Sequence, residues 1–198
     1  MNSRVSRWVG TTAVLLVVAE LVVVLLSWLL SAMMTDGVRP LLSGEGVRWY
    51  FSHFVDFLAS PLLVWLLLLS MAGGSFANCG ILSRQGYRDR LALRFALILL
   101  TVYVLLVFVL TLAPHGVLLS ATGRLFPSPF SRALVPIVAF GVLLSSVTFG
   151  LASGRFRSSA DVVASLSYGV SKSAPFYVLY ILAIQLYHSL RYVFQIGI

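Results

Sequence analysis

The sequence predicts an all-α polytopic membrane protein with about five transmembrane helices and short interfacial or amphipathic helices. Of its 198 residues, 60% are hydrophobic and only 10% are charged, whereas ordinary soluble domains carry roughly 25% charged residues. The mean hydropathy is +1.00. Apolar runs long enough to cross a hydrocarbon core of ~30 Å recur along the chain without period-2 alternation, so we expect helices. These runs form one transmembrane domain over 1–198, with spans at about 8–34, 56–77, 92–113, 133–153 and 174–195.

The first apolar run is predicted to be a retained span. It follows Arg4 and Arg7 and extends over 8–34. The apolar part of a signal peptide has about 7–15 residues and ends at a small-residue cleavage site. This run is nearly twice that length, so we interpret it as a transmembrane helix.

Basic residues predict that the N-terminus is cytoplasmic, since cytoplasmic loops of membrane proteins carry an excess of Lys and Arg. With five spans, the cytoplasmic segments hold Arg4, Arg7, Arg84, Arg88, Arg90, Arg94, Arg155, Arg157 and Lys172. The opposite side holds Arg39, Arg48, Arg124, Arg132 and Arg191. The net charge of +8 therefore indicates membrane orientation and not nucleic-acid binding, because the arginines flank apolar runs and do not alternate with aromatic residues on a polar face.

The stretch 125–180 organises the second half of the chain. It begins with Pro127-Ser128-Pro129, continues through an apolar run over 133–152 and reaches a basic segment. An amphipathic segment over 158–172 follows, with Ser158 and Asp161 typical of a helix N-cap. Its apolar face is predicted to be Val162, Val163, Leu166 and Val170, and Pro175 is expected to begin the fifth span.

Glu20 lies near the centre of the first span. A carboxylate at that depth is costly unless it is paired, protonated or faces a cavity. It shares a helical stripe with Ala13, Ser27 and Ser31, so we expect it to face other helices. It is either a proton or cation site or a hydrogen-bonding residue between helices, and we favour the second interpretation.

Three further candidate intramembrane polar residues are Asn78, Gln185 and His188. Asn78 follows Gly73 and Gly74 at a predicted weakened end of the second span, where it either caps the helix or lines a substrate path. Gln185, His188 and Tyr192 share one face of the fifth span. That face lines a pathway or forms interhelical hydrogen bonds, and we favour the hydrogen bonds.

A face of small residues on the fourth span predicts close helix packing, and from it we predict a homodimer or another membrane protein as partner in the lipid bilayer. The face consists of Gly141, Ser145, Thr148 and Ala152. Pro136 lies near one end of the same span.

No residue pattern predicts catalysis, a metal or a cofactor. The histidines are His53, His115 and His188, and the sequence has no HExxH, GxSxG or CxxC motif. His53 and Asp56 are too few for a metal site, and we interpret them as part of an interfacial helix whose aromatic anchors are Trp49, Tyr50, Phe51 and Phe54. The single Cys79 cannot form an intramolecular disulfide. We therefore predict that the protein is not an enzyme.

Two stretches of the chain, 39–82 and 125–190, together with the span between them, resemble the AbgT family of bacterial p-aminobenzoyl-glutamate and antimetabolite transporters. The first, 39–82, contains LLSGEGVRWYFSHF and MAGGSFANCGIL and is similar to that family's first external loop and second helix. The second, 125–190, contains LFPSPFSRALVPIVAFG and ASGRFRSSADVV and is similar to a mid-protein helix and the next membrane segment. The span between them, within 87–120, is similar in placement. The resemblance implies the bacterial cytoplasmic (inner) membrane.

The chain also departs from that family. Members are more than twice as long and fold as dimers with a scaffold domain and a core domain that contains two re-entrant hairpins. Neither hairpin has a counterpart here, so no family binding residue is carried over to this sequence. The resemblance implies transport of a small organic anion. The alternatives are a non-transporting scaffold or accessory subunit derived from such a transporter and, with least support, a membrane enzyme.

Overall fold

The computed structural model describes residues 3–34, 37–83, 86–112 and 129–196, and within these ranges it is all-helical. The helices are α1 (Ser3–Ala32), α2 (Gly44–Leu58), α3 (Pro61–Cys79), α4 (Tyr87–Leu112), α5 (Pro129–Ser153) and α6 (Ser159–Val193), with a short 3₁₀ helix at Ile81–Ser83. Five of them, all but α2, are long and apolar enough to cross a membrane, which confirms the predicted fold class. His115, Arg84, Arg124 and the Pro127-Ser128 pair lie outside the described residues.

The helix of the second span begins at Pro61 and not at residue 56, because the helical backbone is interrupted between α2 and α3. We call this interruption the break before α3. Proline has no N–H to donate and suits the first position of a helix. Tyr180 of α6 hydrogen-bonds to residues at this break. Its hydroxyl donates to the Leu58 carbonyl at 3.2 Å and lies 2.6 Å from Ser60 Oγ. Hydropathy alone missed the break because the residues on both sides of it are apolar.

The helix that contains the predicted fifth span does not begin at Pro175, since α6 is one continuous helix of 35 residues and Pro175 lies inside it. At 1.5 Å per residue it is about 52 Å long, more than the ~30 Å of a hydrocarbon core. The predicted cap at its start is present: Ser158 Oγ accepts from the Asp161 N–H at 3.3 Å, and Asp161 Oδ2 accepts from the Ser158 N–H at 3.0 Å.

The chain divides into two compact units, 1–63 with 174–198 and 64–173. In the first unit, the segment before α2 folds onto α1 and the end of α6. The Leu41 N–H donates to Ser27 Oγ at 3.2 Å, and the Arg39 N–H donates to the Val193 carbonyl at 3.0 Å. Leu41, Tyr192 and Val193 form a buried apolar cluster there.

Helix α2 packs along the last turns of α6 through aromatic residues. Trp49 stacks on Tyr192 with ring centroids 4.0 Å apart, and Phe57 stacks on His188 at 4.3 Å. Phe57 is buried, whereas Phe51 is 73% exposed. The indole of Trp49 therefore helps to pack α2 against α6, and its role as a headgroup anchor stays a prediction.

In the second unit, α3 and α6 approach closely through glycines. A Cβ on Gly74 or on Gly169 would overlap the backbone of the opposite helix. Helix α3 continues through Gly74 to Cys79. Ser165 and Gly169 are the buried residues of this part of α6, whereas Val163, expected on the apolar face, is 59% exposed.

Helices α4 and α5 pack against each other around Cys79, Ala92, Ala96, Phe149 and Phe156. Gly80 and Gly154 end α3 and α5 with φ of +75° and +79°, values that glycine adopts readily. Arg88 Nε donates to the Ala152 carbonyl at 3.4 Å, which places a cation at the negative end of α5.

The small-residue face of α5 packs within the protomer at two of its four positions. A Cβ on Gly141 would lie 3.1 Å from Tyr103 Cε1 of α4, and Ala152 packs against the buried cluster. The hydroxyls of Ser145 and Thr148 donate to carbonyls of their own helix, Gly141 at 2.9 Å and Leu144 at 2.7 Å. A homodimer stays a prediction, and Gly141 no longer supports it.

Candidate functional site

Glu20 joins α1 to α6 in the first unit. Ser189 Oγ donates to Glu20 Oε1 at 2.6 Å, and Ser189 is fully buried. The other carboxylate oxygen, Oε2, is buried and has no hydrogen-bond partner among the described residues. Ser27, which lies on the same face of α1, is buried as well, and its hydroxyl accepts a hydrogen bond from the Leu41 N–H. Glu20 thus accepts an interhelical hydrogen bond through Oε1, while Oε2 has no hydrogen-bond partner among the described residues.

The predicted polar face of α6 lies against α2. His188 stacks on Phe57, Tyr192 stacks on Trp49, and Gln185 is half-buried. This face is therefore mainly an aromatic packing surface.

A pocket of about 230 Å³ opens beside this aromatic surface, which we call the arginine pocket. It is lined by Arg39, Glu45, Trp49, His188, Arg191 and Tyr192. The segment before α2 supplies Arg39, which the hydrogen bond to the end of α6 holds in place. Arg191 Nε donates to the Ile196 carbonyl at 3.0 Å, and its guanidinium lies over the Tyr187 ring. A basic residue in the last turn is also favoured by the helix dipole.

The chemistry of the arginine pocket suits an anion with a flat apolar part. Two guanidinium groups outweigh the one carboxylate of Glu45, and guanidinium binds carboxylates through paired hydrogen bonds. The stacked Trp49 and Tyr192 rings offer an apolar wall. The volume is below the roughly 300–1,000 Å³ of most ligand sites, so a larger ligand would be only partly enclosed.

The other predicted site residues lie in the second unit. Asn78 is exposed in the last turn of α3 and does not cap that helix, and the packing residues Gly141, Ser145, Thr148 and Ala152 lie on α5. Within the described residues, no group of three or more His, Cys, Asp or Glu side chains could hold a metal.

Sequence reasoning missed the arginine pocket. The sequence predicts only an orientation role for Arg39 and Arg191 and only an interfacial anchor at Trp49. These residues are far apart in sequence and share no helical period, so no local pattern joins them. One signal in the sequence could have indicated the pocket. The two guanidinium groups and the indole all lie near span ends that the sequence predicts on the same side of the membrane.

Comparison with known proteins identifies the family. Residues 82–195 match the AbgT putative transporter family, which is more than half of the chain. The match begins at the last residue of 39–82, the first of the stretches that resemble this family, and leaves out the rest of that stretch. No curated protein and no solved structure matches the chain. On the extent of the match over α4, α5 and α6, the chain belongs to the AbgT putative transporter family.

Proposed function

We propose that this protein takes part in the transmembrane transport of a small organic anion. The observation that carries the proposal is the arginine pocket, in which Arg39 and Arg191 flank a stacked aromatic wall. Membership in a transporter family supports it. The protein would act in the bacterial inner membrane, with its N-terminus cytoplasmic, as a homo-oligomer or together with another membrane protein.

The substrate class follows from what the pocket offers. A carboxylate would bind the guanidinium groups, and an aromatic ring would stack on Trp49. p-Aminobenzoyl-glutamate has both features, an aromatic ring and two carboxylates. We propose it as the first substrate to test.

The second candidate function is a non-transporting scaffold or accessory subunit. It is favoured by exposed small residues on α3: Gly73 has open space around it, and Ala77, one turn later, is exposed. Small residues spaced by four let another transmembrane helix approach closely. In this alternative, a partner chain would supply the translocation path.

A flux assay separates the two functions. Purified protein is reconstituted into sealed liposomes, and uptake of radiolabelled p-aminobenzoyl-glutamate is compared with that of protein-free liposomes. Transport by this chain predicts saturable uptake that Arg39→Gln lowers roughly tenfold, because one charge-assisted hydrogen bond is lost. The matched control is Arg48→Gln, an exposed arginine on α2 that does not line the pocket.

Uptake equal to that of protein-free liposomes, from protein that is folded by circular dichroism, would contradict transport by this chain alone. It would favour the accessory function.

A further inference from the structure

A second cleft in the first unit has Glu20 in its lining, and we call it the Glu20 cleft. It has a volume of about 220 Å³ and does not share lining residues with the arginine pocket. Its lining consists of Glu20, Val24, Leu41, Leu42, Val47, Tyr50 and Phe51.

The Glu20 cleft has a clear electrostatic requirement. Glu20 Oε2 is buried and receives no hydrogen bond from the described residues, while Oε1 already accepts a hydrogen bond from Ser189. A buried carboxylate oxygen is unfavourable unless a donor or a cation meets it. An occupant that brings a positively charged N–H group would meet that requirement.

The rest of the lining disfavours a hard metal ion. Ca²⁺ and Mg²⁺ bind six or more oxygen ligands, whereas the side chains here supply one carboxylate and one phenol. Burial, and next the nearby Glu20 carboxylate, raise the pKa of Tyr50, so its hydroxyl stays neutral and can donate or accept. The remaining side chains are apolar, and the rings of Tyr50 and Phe51 can attract an organic cation.

We propose that the Glu20 cleft binds a primary ammonium group attached to an apolar chain. The ammonium donates to Glu20 Oε2, and the apolar chain lies on the exposed side chains of Leu42, Val47 and Phe51, which are 52%, 42% and 73% exposed. A membrane offers such a group on phosphatidylethanolamine, and a free alkylamine offers the same chemistry. The site is separate from the arginine pocket, so it does not depend on anion transport.

Native mass spectrometry of the delipidated full chain in mild detergent tests the proposal. Dioleoyl phosphatidylethanolamine and dioleoyl phosphatidylcholine are titrated in parallel. Both have a phosphate, but the quaternary ammonium of phosphatidylcholine has no N–H to donate to Glu20. In a separate arm, dodecylamine is compared with dodecyltrimethylammonium.

The wild-type chain should bind the primary-ammonium member of at least one pair roughly tenfold more tightly than its quaternary analogue. Preference in the lipid pair assigns the source to phosphatidylethanolamine, and preference in the amine pair alone assigns it to a free amine. Glu20→Gln should abolish the preference, and the control Asp56→Asn, which removes an exposed carboxylate of α2, should keep it.

Phe51→Leu provides a second variant, because its exposed ring can be replaced without disturbing the core. It should weaken binding of the preferred primary-ammonium ligand roughly threefold through loss of the cation–π contact. Equal binding within both pairs by the wild-type chain, or an unchanged preference in folded Glu20→Gln, would overturn the proposal.

Discussion

Replacing Gly169 with alanine should separate α3 from α6 and destabilise the second unit. The added Cβ would overlap the Ser70 carbonyl oxygen and would lie 2.7 Å from Gly74 Cα, whereas non-bonded carbon atoms settle at about 3.5–4.0 Å. The opposing atoms are backbone, so a rotamer change cannot make room and the helices must move apart by about 1 Å. Overpacking of this kind costs about 1–3 kcal/mol, and the helix propensity of alanine offsets at most about 1 kcal/mol.

The matched control for this prediction is Gly73→Ala. Gly73 lies on α3 next to Gly74, and a Cβ there meets no atom within 4 Å. Thermal unfolding in detergent, measured by size-exclusion chromatography of heated samples, should show a Tm lowered by about 2–8 °C for Gly169→Ala and unchanged or slightly raised for the control. Equal Tm values for the two variants would refute the close approach of these helices.

Three further predictions test the fold. Tyr180→Phe removes the hydroxyl that bonds the Leu58 carbonyl at the break before α3, so Tm should fall by about 2–4 °C, and an unchanged Tm would show that the break needs no donor. Gly141→Leu should push against Tyr103 and lower Tm without changing the oligomeric mass of the solubilised protein. A stable variant of smaller oligomeric mass would instead place this face between protomers. Cysteines introduced at Gly44 and Tyr87 should be labelled from opposite sides of the membrane, and the native Cys79 should not interfere because it is buried. Labelling of both positions from the same side would contradict the predicted topology.

The sequence predicted those parts of the fold that depend on long or local patterns. Run length located the five spans, and the Ser158–Asp161 pattern located the start of α6. Both signals are contained within one segment of chain.

The remainder depends on contacts between distant segments. The break before Pro61 is stabilised by Tyr180, about 120 residues further along the chain. No feature of the local sequence indicates that Tyr180 is its partner. The sequence predicts Pro175 as a helix start because proline lacks an N–H, yet a transmembrane helix can tolerate proline. Trp49 and Arg191 form a pocket only because α2 runs back along α6.

The most direct test of the account is ligand binding at the arginine pocket, independent of flux. Equilibrium binding of radiolabelled p-aminobenzoyl-glutamate to the purified protein should be saturable, with one site per chain. Arg39→Gln and Arg191→Gln should each weaken it roughly tenfold, while Arg48→Gln leaves it unchanged. Binding that is absent, or that is equally strong in all three variants, would contradict the assignment of the arginine pocket as the anion site.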